Sequence, residues 1–170
     1  MSTAYLLLGS NMGNRAAWLD AALSAIAEQV GSLVALSYRY ETAAWGNTDQ
    51  APFLNQAVAL DTILDPSTLL DGLLNIEQSL GRQRLQYWGA RTIDIDILGY
   101  DNRLVATDRL HIPHRWLHAR RFALLPLHDI APQWIHPIWQ QSIAQLLLQC
   151  PDPLPCKRTV EPTIAIQAEQ

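Results

Sequence analysis

The chain has 170 residues, 12 Lys+Arg against 16 Asp+Glu for a net charge of −4, and is 49% hydrophobic and 16% charged. It should expose roughly 8,400 Å² folded against about 28,000 Å² extended, enough to bury a core, so neither disorder nor a disulfide scaffold is expected. No apolar run reaches the ~18 residues of a membrane span, and Met1-Ser2-Thr3-Ala4 lacks a cationic signal start, so a cytosolic protein without a membrane partner is expected.

Ala4-Tyr5-Leu6-Leu7-Leu8 is a short apolar run closed by Gly9, the pattern of a buried strand. After the turn Ser10-Asn11-Met12-Gly13-Asn14, apolar residues recur at helical steps at Leu19, Ala22, Leu23, Ile26 and Val30, with Gly31 as the stop. Val34, Leu36, Tyr38 and Tyr40 alternate with Ala35, Ser37 and Arg39 and predict a second strand. Residues 43–53 have no period and contain Gly46 and Pro52, a long loop of the kind that carries function.

Residues 54–64 predict a third strand, and Asp65-Pro66 opens a helix carrying Leu69, Leu70, Leu73, Ile76 and Leu80 before Gly81. A loop bearing Gly and Arg covers 82–91, and Thr92-Ile93-Asp94-Ile95-Asp96-Ile97-Leu98 is the cleanest alternation in the chain. The order is β-α-β-β-α-β, which predicts a ferredoxin-like α+β core: an antiparallel four-stranded sheet with two helices on one face. A hairpin strand within 99–106 and additional C-terminal helices at Phe122 to Ile130 and Ile143 to Gln149 are expected beyond it, the helices over the remaining face. We expect one domain over 1–150 and a loose C-terminal tail over 151–170. Cys150 and Cys156 have no zinc-spaced partners and read as ordinary thiols.

Eleven of the twelve cations are Arg, and the one Lys, Lys157, stands far from any strand–helix turn. That excludes a phosphate loop of the GxxxxGK[ST] type. Eight of the twelve lie between 82 and 121, facing only Asp94, Asp96, Asp101 and Asp108. Such a surplus points to an anionic ligand, and guanidinium forks match phosphate oxygens, although scattered surface arginines would leave the same count. Long nucleic acid is not expected, because the chain as a whole is acidic and would be repelled.

Asp94 and Asp96 stand two apart in the predicted strand, so both carboxylates share one face, about 7 Å apart at the backbone, while Ile93, Ile95 and Ile97 bury. Paired like charges are tolerated if one is protonated, if water screens them, or if divalent cations lie between them. Mg²⁺ is usually held by one or two carboxylates plus substrate phosphates. A solvent-facing strand that happens to carry Asp is the bland alternative. Arg82, Arg84 and Arg91 hang on a loop with Gly81 and Gly89, able to close over a ligand as a phosphoryl-transfer site would require. A merely mobile charged loop would look alike. His111 and His114, in the same basic stretch, are candidate phosphate donors or structural histidines.

At this point Trp88-Gly89-Ala90-Arg91-Thr92-Ile93-Asp94-Ile95-Asp96-Ile97-Leu98 resembles the signature of the 6-hydroxymethyl-7,8-dihydropterin pyrophosphokinases of folate biosynthesis. The resemblance extends in order through Leu8-Gly9-Ser10-Asn11, Phe53-Leu54-Asn55-Gln56-Ala57-Val58, Glu77 to Arg84, Ile112-Pro113-His114 and Arg121-Phe122, over roughly residues 4 to 135. It implies an enzyme that moves the β,γ-pyrophosphoryl group of ATP, its co-substrate, to the pterin's hydroxymethyl oxygen and releases AMP. By position, Asp94 and Asp96 would hold two Mg²⁺ ions, and Arg82 and Arg91 would neutralise the triphosphate. Leu70, Glu77, Arg84, Trp88, Ile97, His111, His114 and Arg120 would contact ATP.

For the pterin, a flat heterocycle with an amide edge, two aromatic walls and a donor–acceptor group are needed. Phe53 and Phe122, the only phenylalanines, fall at the family's stacking positions, with Asn55 as the donor–acceptor and Thr42, Ala43 and Trp45 lining the rest. Core packing is the alternative for both phenylalanines. The chain departs from the family pattern at Ala43-Ala44, at Leu85, Gln86 and Tyr87, and at Arg115, which bears on loop behaviour and nucleotide affinity. A monomer is expected. Two other readings compete: a nucleotide-sensing regulatory module, for which paired strand carboxylates have no use, and a metal-dependent phosphohydrolase with water as nucleophile.

Overall fold

The computed structural model describes residues 1–46, 49–81 and 92–159. Strand β1, Ser2–Ser10, leads into helix α1, Arg15–Gln29, which starts where the Asn14 side chain accepts from Ala17 N at 3.1 Å. Strands β2, Ser32–Leu36, β3, Tyr40–Thr42, and β4, Phe53–Thr62, follow. Helix α2, Pro66–Ser79, is capped by Asp65, which accepts from Thr68 N at 2.9 Å, with Pro66 preset for the first turn. Strand β5 is Asp94–Tyr100, and β6, Val105–Ala106, pairs with β7, His111–Ile112, as a separate ribbon. Helices α3, Arg121–Ile130, and α4, Ile143–Gln149, precede strand β8, Cys156–Arg158.

The sheet runs β5-β1-β4-β3-β8 with β2 also on β4, and its pairings are antiparallel. Alternation along each strand sends one set of side chains to each face. Leu6, Leu8, Val58, Leu60, Ile95 and Ile97 pack against α1 and α2 through Leu19, Ile26, Leu69, Leu73 and Ile76. Leu7 and Leu98 face the other way, onto Leu124 and Leu127 of α3 and Ile143 and Leu146 of α4. Helices thus cover both faces of the sheet.

Two expectations need correction. The strand expected over Val34 to Tyr40 is two strands. Pairing slips between Leu33 and Ala35, so Leu33 rather than Val34 packs inward and Val34 is 52% exposed. The chain then breaks at Ser37, whose Oγ accepts from Ala57 N and donates to Tyr38 O. Arg39, an outward position by strict alternation, is 4% exposed, bonded to Asp20 of α1 and to Gln56 Oε1. Second, part of the stretch expected to be loose is structured: Cys156–Arg158 pairs with β3, so the folded unit runs past 150. The hairpin strand expected within 99–106 is Val105–Ala106, paired with β7 in a ribbon apart from the main sheet. Cys150 and Cys156 are free thiols.

His136, in the connection from α3 to α4, is 2% exposed and its Nδ1 accepts from Ile138 N and Trp139 N at 3.2 Å. Burial, with the neighbouring His118 adding to it, pushes its pKa down to about 4. Between about pH 6.5 and 4 the unfolded chain takes the proton and the folded protein does not, so stability falls as pH falls through that window, by up to about 1.4 kcal/mol per pH unit. Urea unfolding at pH 7, 6 and 5 should show His136→Gln losing less stability than wild type on acidification. An equal loss in both would refute this.

Candidate active site

The cleft is built on the sheet face opposite α1 and α2. Strand register does most of the work: Gly9 of β1 pairs with Asp94 on one side and Asn55 on the other, and Leu7 pairs with Asp96. Cross-strand partners share a face, so Asp94, Gly9 and Asn55 form one row across three strands. A Cβ on Gly9 would sit 2.5 Å from Asn55 Oδ1 and 3.5 Å from Phe53 Cδ1, so the absence of a side chain there leaves the floor open.

The cleft, about 170 Å³, is lined by Leu7, Gly9, Thr42, Ala43, Ala44, Trp45, Gln50, Phe53, Asn55, Asp94, Asp96, His114, Arg120 and Phe122. One end is apolar and aromatic, the other acidic. Buried Asn55 donates from Nδ2 to Thr42 Oγ1 at 2.7 Å, which fixes the amide's orientation. The loop after β3 is tied back to the end of β1 and the start of α1. Asn11 Nδ2 donates to Gln50 Oε1 and Ala51 O at 3.2 Å, and Arg15 Nη1 donates to Pro52 O at 3.0 Å.

Arg120 joins the two ends. Its guanidinium carbon lies 4.5 Å from the Trp45 ring centre and 5.7 Å from that of Phe122, in cation–π range. Burial lowers its pKa, while Asp96, Asp94 and Asp152 oppose that and favour the cation. His114 is held at its backbone, N donating to Leu98 O at 2.9 Å, and its Nδ1 accepts from Trp116 N at 3.2 Å. That bond assigns the proton to Nε2, leaving a neutral donor. Burial chiefly, and Arg120 next, lower the His114 pKa to about 4, with Asp94 pulling the other way.

Ten of the residues picked out from sequence therefore meet in one cleft: Thr42, Ala43, Trp45, Phe53, Asn55, Asp94, Asp96, His114, Arg120 and Phe122. Leu70, Glu77, Ile97 and His111 do not line it. Ile97 packs in the core under α1 and α2, half-buried Leu70 of α2 packs against that core, and His111 Nε2 lies 3.0 Å from Arg115. Glu77 is 2% exposed and its Oε1 accepts from Ile95 N at 3.1 Å, so it ties α2 to the strand that carries the aspartates. Arg82, Arg84, Trp88 and Arg91 lie outside the described residues, as do Leu85, Gln86 and Tyr87.

Leu7, Gly9, Ala44 and Gln50 line the cleft without having been singled out as site residues. Gly9 carried a usable signal, since it ends an apolar strand in phase with Leu7, whereas Gln50 sits in a stretch with no period at all.

Among the described residues no group of three or more His, Cys, Asp or Glu is placed to hold a metal ion. A cation on Asp94 and Asp96 would therefore complete its shell with ligand and water oxygens. Two carboxylates lining one cleft fit a hard cation such as Mg²⁺.

The family model described as 7,8-dihydro-6-hydroxymethylpterin-pyrophosphokinase (HPPK) matches residues 5–132, most of the chain and every cleft residue above. This chain belongs to the HPPK family. A Methylorubrum extorquens protein named 2-amino-4-hydroxy-6-hydroxymethyldihydropteridine pyrophosphokinase is 49% identical over 136 residues, covering 79% of this chain and 86% of that one. A Haemophilus influenzae protein of the same name is 41% identical over 153 residues, 89% of this chain and 95% of its own. In fold, this HPPK family member is similar to a crystal structure of Plasmodium falciparum HPPK-DHPS, with TM-score 0.72 and 18% identity. That match covers 87% of this chain and 43% of the Plasmodium chain, so it spans less than half of that protein.

Proposed function

We propose that this protein transfers the β,γ-pyrophosphoryl group of ATP to the hydroxymethyl oxygen of 6-hydroxymethyl-7,8-dihydropterin, giving AMP and the pterin diphosphate for folate biosynthesis. The observation that carries the reading is that an aromatic, amide-bearing pocket and an acidic pair line one cleft, with Arg120 between them. Family membership and the shared name of the relatives support it.

In this reading the pterin ring lies between Phe53 and Phe122, its amide edge meets Asn55, and Thr42, Ala43 and Trp45 close the remaining walls. Asn55 arrives oriented by Thr42, so little ordering cost remains when the ring binds. Asp94 and Asp96 would hold two Mg²⁺ ions, which when bound neutralise the triphosphate and make the attacking hydroxyl more acidic. Arg120, kept cationic by the neighbouring carboxylates, and His114, a neutral Nε2–H donor, would contact the phosphates from the same cleft. Arg82 and Arg91 would offset the negative charge that develops in transfer, and Leu70, Glu77, Arg84, Trp88, Ile97 and His111 are assigned to the nucleotide by the family resemblance alone, Glu77 acting by holding Ile95 N. In the transfer itself the hydroxymethyl oxygen bonds the β-phosphorus in line, the bond from the β-phosphorus to the α,β-bridging oxygen breaks, AMP leaves with that oxygen, and the hydroxyl proton passes to solvent.

A ferredoxin-like reading of the core is supported by the strand order β5-β1-β4 with β2 and β3 on the far side of β4, and by α1 and α2 on one face. The working enzyme is taken as a monomer in the cytosol. No helix among the described residues is long and apolar enough to cross a membrane.

Incubation with ATP, Mg²⁺ and the hydroxymethyl pterin tests the function. AMP should form only when pterin is present. Phosphate or AMP without pterin would replace transfer by hydrolysis, and nucleotide binding without turnover would favour a sensing module.

A further inference from the structure

Helix α3 begins without a cap of its own. Its N-cap position is Arg120, which cannot accept a hydrogen bond, and no cap bond is made from that side chain. The N–H of Arg121 is satisfied from elsewhere in the chain: Asp152 Oδ2 accepts it at 3.1 Å. Asp152 is 6% exposed, its Oδ1 accepts from Leu154 N at 2.9 Å, and its backbone oxygen accepts from Arg121 Nε at 3.1 Å. A buried carboxylate thus sits at the positive end of the α3 dipole and clamps the first helical residue through both its N–H and its side chain. Arg121 stands between the two cleft residues of this turn, Arg120 and Phe122. The same segment continues into β8, whose Cys156 pairs with Thr42, another cleft residue.

We propose that Asp152 is a positioning residue for the pterin site, holding the first turn of α3 so that Phe122 faces the cleft. The proposal rests on the functional reading above and adds to it a part for the segment after 150, outside the 5–132 family match.

The test uses the full chain as wild type, Asp152→Ala and Asp152→Asn. Pterin is titrated calorimetrically in the presence of Mg²⁺ and a non-transferable ATP analogue, alongside steady-state KM for each substrate and Tm. Losing the cap should raise the pterin Kd and KM of Asp152→Ala roughly tenfold, while the affinity for the ATP analogue changes less than about twofold. Asp152→Asn, which keeps an oxygen able to accept from Arg121 N–H, should recover part of the loss. Pterin and nucleotide affinities weakening in proportion, or neither changing, would overturn the assignment. If Asp152→Ala does not fold, the Asn variant decides alone, and an unchanged pterin Kd counts against the proposal. A wild-type protein that does not bind pterin overturns the functional reading and this inference together; wild-type binding with unaffected variants overturns this inference only.

Discussion

Asp96→Ala should slow pterin-dependent AMP formation about a thousandfold, and Asp94→Ala comparably, while Tm stays within a few degrees of wild type. The size follows from what is removed. The transfer builds negative charge on phosphate oxygens, and among the described residues the only acidic side chains lining the cleft are these two, projecting from one face of β5 beside Gly9 and Leu7. On the proposed reading, losing either carboxylate would remove the cation binding that offsets the triphosphate, and little covalent chemistry would remain to compensate. The fold should survive because the strand is anchored by its other face: Ile95 and Ile97 are 4% exposed in the core, and Glu77 holds Ile95 N. Removing one of two like charges also relieves their repulsion. Turnover within tenfold of wild type would show that Asp96 does not serve the reaction; collapse of Tm would show that the pair is structural.

Gly9→Ala should weaken pterin binding by about one to two orders of magnitude with a smaller effect on nucleotide affinity. The added Cβ would meet Asn55 Oδ1 at 2.5 Å, a separation at which one group must move. Asn55 has little freedom to do so, since its Nδ2 is bonded to Thr42 and the residue is 4% exposed. Overpacking of this kind costs about 1–3 kcal/mol, and displacing the amide removes the donor–acceptor pair that the ring edge needs. Asn55→Ala should show a similar loss, and the double variant should lose much less than the sum, because both changes act on the same amide. Calorimetric titration of pterin across the four proteins measures the coupling. Strict additivity would mean that Gly9 acts through something other than Asn55.

Much of the site was legible in the residues. The alternation Ile93-Asp94-Ile95-Asp96-Ile97 places both carboxylates on one face of any strand it forms, because side chains reverse at each step. The phenylalanines were less legible: Phe53 and Phe122 bury as readily in a core as around a ligand, and the family resemblance, not their residue type, singled them out. Gln50 and Ala44 were not legible at all, since an aperiodic loop encodes no direction for its side chains. Arg39 shows the opposite failure. Its place in an alternating run read as outward, yet a slip at Leu33 and a break at Ser37 turned it inward to Asp20 and Gln56. A one-residue slip changes every facing that follows, and nothing in a short run of mixed residues prevents it.

By itself the sequence determined the order of the main strands and helices, the start of α2 at Asp65-Pro66, the shared face of Asp94 and Asp96, and the concentration of arginines around them. These depend on neighbours within a few positions, where backbone geometry dictates spacing. Only the tertiary structure decided that Gly9 lies between Asp94 and Asn55, that Arg120 bridges Trp45 and Phe122, and that Asp152 closes the start of α3 from 31 residues away. Such contacts are set by strand register and by the packing of α3 on the sheet. Both follow from burying the whole chain's apolar surface at once, a condition no local stretch of residues contains.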